Sequence, residues 1–430
     1  MNFSSEVVSA SLWDIADYIN GRPTKPTELV NRGIPVIKIA ELSRGITNQT
    51  NLILKEVVNP KHLVTTGDLL FAWSGTIGIH KYSGPEAALN QHIYKVVARE
   101  VIDQHFLQYL LENELKVLQE FVEEKKTTMG HVTIANMKTV QVTFPKSLEK
   151  QKAIASYLTT VDALISVNKS LIQTIENIVQ TVFKSWFLDF DQVKSQITGE
   201  DSKTHPSAMG PIFPDSMDDS EIGPIPAGWT VKSAEELFDI GIGRTPPRME
   251  SEWFCAGDAG VPWVSIRDMG TFGTFSESTR EGLTEEAITK FRVPIVPENT
   301  VLMSFKLTVG KLCITDDTLV TNEAIAHFKL SSDSLLDSYF TFLWLKNHDM
   351  NSLDSTSSIG TATNSGVIKQ IKFLVPTSGI LASFHELVSP FFDELKLLSR
   401  KQLALIGLRE ALLPRLISGE MQIIGEKSVF

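Results

Sequence analysis

The sequence predicts an α+β protein: two mixed α/β globules, each followed by one long helix, with the two helices paired as an antiparallel coiled coil. Three observations carry this prediction. Apolar residues spaced alternately four and three apart run over 147–192, a second such run covers 379–420, and an internal repeat relates the two halves of the 430-residue chain. The four-and-three spacing is that of a coiled-coil seam. A chain of this length also exceeds one ordinary hydrophobic core.

The first globule spans 1–146. Strands are expected at 34–39, 68–73, 92–97 and 139–144 and a helix at 103–123, because short apolar runs there are bounded by Gly, Pro and Asn. Such short strands point to a curved or barrel-like sheet. The first long helix, 147–192, carries Ile154, Leu158, Val161, Ile165, Ile172, Ile175, Val179, Val182 and Trp186 on its seam. A linker rich in Ser, Pro, Gly and Asp follows at 193–226, and its acidic run from Asp215 to Glu221 reads as a solvated loop.

The second globule, 227–378, repeats the first in the same order. "GIPVIKIAEL" from Gly33 returns as "GVPWVSIRDM" from Gly260, and "GDLLFAWSGTIGI" from Gly67 as "ENTVLMSFKLTVGKL" from Glu298. "ALNQHIYKV" returns as "VTNEAIAHFKL", which sets Asn90 opposite Asn322, and "FLQYLL" returns as "YFTFLWL". Residues matched between repeats belong to shared scaffold, so Asn90 and Asn322 are assigned to turn chemistry. The second long helix, 379–420, carries Phe384, Val388, Phe391, Leu395, Leu398, Leu405, Leu412 and Leu416, and a short tail covers 421–430. Asn168, Gln402 and Arg409 interrupt the seams. They either fix helix register or face solvent. Pro390 should kink its helix or mark where the helical pattern begins.

The net charge is −11, which taken alone argues against a nucleic-acid binder. Its distribution matters more: 15 basic and 15 acidic side chains over 1–146, and 13 and 19 over 227–378. No basic arm exists, so DNA binding would use local patches or a partner's positive charge. Cys255 and Cys313 are too few for a disulfide framework and read as reduced core residues. No apolar run is long enough for a membrane span and the start lacks a signal-peptide pattern, so a cytoplasmic protein without membrane contact is expected.

Catalytic patterns are missing. Gly310-Lys311 is followed by Leu312 and lacks the upstream glycine of a phosphate loop; His385-Glu386 meets Ser389 where a second zinc-binding His would stand. No Gly-x-Ser-x-Gly elbow and no Asn-Pro-Pro-Tyr base clamp occurs. Glu114-Leu115-Lys116 and Glu124-Lys125-Lys126 have a nuclease-like Glu-x-Lys form, but no acidic partner precedes either in a strand. No catalytic or metal site is therefore expected in this chain.

The two-fold repeat, the "GDLL…SGTIG" block, "KSWFLDFD" at the end of the first long helix, "GPIPAGW" at the entry to the second half and the tail "LREALLPRLISGEMQI" resemble the DNA-specificity subunit of type I restriction–modification systems. The resemblance covers nearly the whole chain. It implies two target-recognition domains, 1–146 and 227–378, each reading one half of an asymmetric, bipartite site in double-stranded DNA. It also implies two adenine-N6 methyltransferase subunits and restriction/translocase subunits as partners. S-adenosylmethionine, ATP and Mg would then be cofactors of those partners, with none in this chain. Two antiparallel helices of about 40 residues, at about 1.5 Å per residue, would span about 60 Å and set the spacer between half-sites.

Side chains able to bond base edges or phosphates are the candidate DNA contacts. In the first globule these are Arg22, Lys25, Gln91, Lys125, Lys126, Thr128 and His131. In the second they are Arg244, Arg248, Arg267, Lys306, Thr361, Thr363 and Asn364. The apolar helix ends, Trp186, Phe187 and Phe190 with Leu412 and Leu416, either cap the coiled coil or, as the resemblance implies, form a surface for the methylation subunits. The alternatives are a coiled-coil adaptor whose globules bind protein or glycan, and a nuclease with a degenerate site.

Overall fold

A computed structural model describes residues 6–123, 130–198, 213–257, 259–306, 308–331, 334–349 and 365–421. The chain divides into two compact units, one formed by Met1–Ser166 with Ala404–Phe430 and the other by Val167–Leu403. Each unit therefore takes one globule and the parts of both long helices that serve it.

In the first unit, a four-stranded antiparallel sheet has the order Ala16–Asn20, Ile93–Ala98, Leu69–Ala72, Gly78–Lys81. A second sheet of five short strands includes one parallel pair, Ile34–Ile37 with Ala87–Leu89. Val7–Ser11 pairs with Gln141–Pro145 and so ties the start of the globule to the strand that leads into the first long helix. The second unit repeats this. Its four-stranded sheet runs Asp239–Ile242, Ile325–Lys329, Val301–Ser304, Leu312–Ile314, and its parallel pair is Val261–Val264 with Val320–Thr321. Thr230–Ser233 pairs with Lys372–Val375 in the place of the first unit's tie. Each globule thus holds two sheets of four or five strands beside its two-stranded tie, in place of the one curved or barrel-like sheet expected.

Matched helices begin with matched caps. Asp103 accepts from the His105 and Phe106 amides at 2.9 and 3.1 Å, and Asp337 accepts from the Phe340 amide at 2.7 Å. Each carboxylate satisfies amides that the first helical turn cannot, and opposes the positive end of the helix dipole. The single helix expected at 103–123 is two, Gln104–Asn113 and Leu115–Glu123, broken at Glu114. The break lets Leu110, Leu111 and Leu118 all reach the core.

The long helices are Leu148–Phe187 and Ser378–Ile417, each 40 residues. Within the second unit they run antiparallel: Asn168 Nδ2 donates to the Leu398 carbonyl and to Gln402 Oε1, both at 2.9 Å, while Phe187 meets Phe384 at 4.9 Å between ring centroids. Asn168 is buried, so its amide ties the seam in register at this level. Pro390 neither breaks nor begins its helix, which starts at Ser378 and passes through it. Pro390 and Glu386 are both exposed, so the carbonyl deprived of its amide partner faces water and the loss is tolerated. The first long helix stops sooner than expected: the Lys184 carbonyl accepts from the Leu188 and Asp189 amides at 3.0 and 2.8 Å, and Phe190 then takes a left-handed backbone, φ 55°, with its ring against Trp229. No described helix is long and apolar enough to cross a membrane.

The segment expected to be linker is packed at both ends. Helix Asp191–Thr198 buries Val193, and the strand pair Met217–Asp218 with Ile225–Pro226 buries Ile225, both in the second unit's core. Part of its acidic run is engaged as well, since Glu221 pairs with Lys372 at 2.8 Å.

Candidate nucleic-acid interface

Each unit presents a Gly-Arg pair at the end of a sheet strand, beside the turn that holds its paired Asn. Arg22 N donates to the Leu89 carbonyl and Arg244 N to the Thr321 carbonyl, both at 2.9 Å. A Cβ on Gly21 would fall 2.1 Å from the Asn90 carbonyl oxygen, and one on Gly243 2.1 Å from Thr321 Oγ1, so only glycine lets the chains approach this closely. Asn90 Oδ1 accepts from the His92 amide at 3.3 Å and Asn322 Oδ1 from the Ala324 amide at 3.1 Å. The paired asparagines shape the same turn twice.

The same matching gives Arg22 and Arg244 scaffold bonds. Arg22 donates to the Val57 carbonyl at 2.9 Å and pairs with Glu28; Arg244 donates to the Phe291 carbonyl at 2.7 Å. Arg248 is likewise engaged, with Nη1 bonding Glu281 at 2.8 and 3.0 Å and the guanidinium lying 4.3 and 4.4 Å from the Phe254 and Trp263 ring centres. Glu28 is held below its ordinary pKa first by the amide of Lys25 and then by Arg22, with a smaller contribution from the charge of Lys25, whose side chain is exposed.

Gln91 is half-buried in the first unit's turn, its Oε1 accepting from Asn90 Nδ2 at 2.6 Å and its Nε2 3.3 Å from His92 Nε2. His131 is exposed, edge-on to Trp73 at 6.1 Å, and Trp73 also meets His92 at 5.8 Å and donates to Asn20 Oδ1 at 3.2 Å. One end of the first unit's four-stranded sheet thus gathers Asn20, Trp73, Gln91, His92 and His131. The sequence reading missed the contribution of Asn20 and Trp73, because only strand pairing brings them beside the turn. In the second unit Arg267 is exposed on the short helix Ile266–Met269, and Lys306 lies 5.3 Å from the Phe305 ring centre. Lys125, Lys126, Thr128, Thr361, Thr363 and Asn364 lie outside the described residues.

Three of the five helix-end residues are buried within their own unit. Trp186 and Phe187 are each 1% exposed, inside an aromatic nest with Phe183, Phe340 and Phe384; Phe190 packs on that core, and Leu416, also 1% exposed, is buried in the first unit's core with Leu412 against it. Trp186, Phe187 and Leu416 are too deep in a core to meet a second protein, whereas Phe190 and Leu412 are half-buried.

The chain matches the type I restriction modification DNA specificity domain over residues 4–177 and again over 226–400. It belongs to this family. Specificity subunits are its relatives: that of the type I restriction enzyme HindI from Haemophilus influenzae is 27% identical over 367 residues, covering 75% of this chain and 78% of that one. The MjaIX specificity subunit from Methanocaldococcus jannaschii is 23% identical over 387 residues, 89% of this chain and 83% of that one. The crystal structure of a type I restriction–modification S subunit from M. genitalium has the same fold, with a TM-score of 0.58 at 13% identity and 97% of both chains covered. The family is one of non-catalytic specificity chains. This membership supports DNA specificity and gives no support to the adaptor alternative.

Proposed function

We propose that this chain is the DNA-specificity subunit of a type I restriction–modification complex, with each unit reading one half of a bipartite, asymmetric site in double-stranded DNA. The observation that carries the reading is the double family match, with one scaffold built twice and different side chains on its rim. Lys25, Gln91 and His131 in the first unit, and Arg267 and Lys306 in the second, are the described candidates whose groups remain available for base edges or phosphates. Methyl transfer to adenine and ATP-driven translocation or cleavage would belong to partner subunits, with their S-adenosylmethionine, ATP and Mg. Those partners would also supply the positive charge that a chain of net charge −11 lacks.

A different helix face suits the methyltransferase subunits. Val167, Leu171 and Ile178 are 66, 43 and 42% exposed, four and seven residues apart on the first long helix, where a solvated face would carry polar groups. Leu171→Glu with Ile178→Glu should leave the second unit folded, by its melting transition, and abolish co-purification with the methyltransferase. Unchanged co-purification would remove this surface from consideration.

The function is tested with a duplex library randomised in two blocks, presented to this chain co-expressed with the methyltransferase. A split motif should be enriched; absence of any enriched motif would overturn the reading. The spacer role is tested by adding one heptad to each long helix, at 154–182 and at 384–412. The spacer should lengthen while both half-sites stay the same, and an altered half-site would show that the helices read bases.

A further inference from the structure

The turn at Asn90 and its repeat at Asn322 are held by matched main-chain bonds. Asn90 N donates to the Ile37 carbonyl and Asn322 N to the Val264 carbonyl, both at 3.0 Å. Trp73 N donates to the His92 carbonyl at 3.2 Å, and Phe305 N to the Ala324 carbonyl at 2.9 Å. With the asparagine bonds and the arginine amides already described, the backbone is the same object in both units. Its side chains are not. Gln91 stands where the second unit has Glu323, and Ser74, next after Trp73, stands where it has Lys306.

Glu323 is exposed, accepts from Thr245 Oγ1, and pairs with no cation among the described residues. Lys306 is half-exposed and has no ion pair among them either. A bare carboxylate on a surface that meets DNA is repelled by phosphates, so it is tolerated there only by bonding a donor. In the major groove the donors are the amino groups of cytosine N4 and adenine N6. Gln91, by contrast, can both donate and accept, the pattern that matches adenine N6 and N7.

Resting on the DNA-specificity reading, we infer that this turn is the element that makes the two half-sites differ. Glu323 selects a base with an exocyclic amino group in the second half-site, with Lys306 donating to a neighbouring guanine, and Gln91 selects adenine in the first. The scaffold fixes where the side chain stands, and the side chain fixes which base edge it accepts.

The test uses the full complex, this chain with its methyltransferase, on the library randomised in both halves. Glu323→Gln adds a donor to an acceptor-only group. Discrimination at one base pair of one half-site should fall about 10- to 100-fold, with the other half and the spacer unchanged. Gln91→Glu should change one base pair of the opposite half only. The unaltered half-site in each variant reports that the complex is folded, and the two variants sit in different units, so each decides independently. Motifs unchanged at every position in both variants, or a change in both halves from one variant, would overturn the inference. A wild-type complex that enriches no split motif would instead overturn the specificity reading beneath it.

Discussion

The first unit packs aliphatic side chains of its helices on the globule and adds an ionic cluster; the second packs rings. In the first, Arg409 on the second long helix donates through Nε to Asp162 at 2.5 Å and pairs with Glu112 of the globule, while Tyr109 donates to the same Asp162 at 2.8 Å. Burial would lower the Arg409 pKa, but Glu112 and Asp162 outweigh it and raise it, so the guanidinium stays charged. In the second unit the contact is made by Phe183, Trp186, Phe187, Phe340 and Phe384, with centroid separations from 4.9 to 6.2 Å among Phe187, Phe340 and Phe384. Polar contacts lie at the margin there, where Asp316 holds Lys396 and Arg400 and Asp337 meets His385 at 2.6 Å. One topology therefore accepts two chemistries of attachment, because the strand order sets where the globule meets the helix and leaves the contact free to vary.

The aromatic anchor should be the costlier to remove. Phe187→Ala leaves a cavity in a full core and should destabilise the second unit by about 3–5 kcal/mol, measured by denaturant unfolding followed by tryptophan fluorescence. A loss under about 1 kcal/mol would mean that the nest is not the anchor.

Acid should separate the units next. His327 is buried in the second unit's sheet, bonded to Thr321 Oγ1 at 2.7 Å, and burial pushes its pKa down from 6.5 to about 3. A folded-state pKa below the unfolded one means the unfolded chain binds the extra proton, so stability is full above about pH 6.5 and is lost as pH falls toward 3, by about 1.4 kcal/mol per pH unit. His327→Gln should flatten that slope in the second unit's melting curve. An unchanged slope would assign the acid sensitivity elsewhere.

Breaking the ionic anchor should cost less. Arg409→Met leaves Asp162 and Glu112 half-buried without their cation and should destabilise the first unit by about 1–3 kcal/mol. High salt should narrow the gap between this variant and the wild-type chain, because screening weakens the pairs the wild type keeps. Asp316→Asn should have the smallest effect, below about 1 kcal/mol, since Arg400 is 63% exposed. An effect as large as that of Phe187→Ala would erase the distinction between core and margin.

Much of the fold was legible because periodicity and repetition report on burial directly. The seam positions Ile154, Leu158, Val161, Val388, Leu395 and Leu398 are all buried, as the four-and-three spacing requires. The candidate interface was less legible. Arg22 and Arg244 look like free cations in sequence, and only the fold brings Val57, Glu28 and Phe291 to them. Phe391 and Leu405 on the second seam are less buried than their spacing implies, since the globule, and not the facing helix alone, decides what each turn of helix covers.

By itself the sequence determined the plan of this protein: two copies of one mixed globule, two long helices, paired asparagines in turns, and no catalytic pattern. These follow from local spacing, which survives without knowledge of distant contacts. Only the tertiary structure decided what each surface residue is free to do. Bonds such as Arg409 to Glu112, or Thr245 to Glu323, join residues far apart in sequence, and whether a charged side chain is already engaged depends on those distant partners.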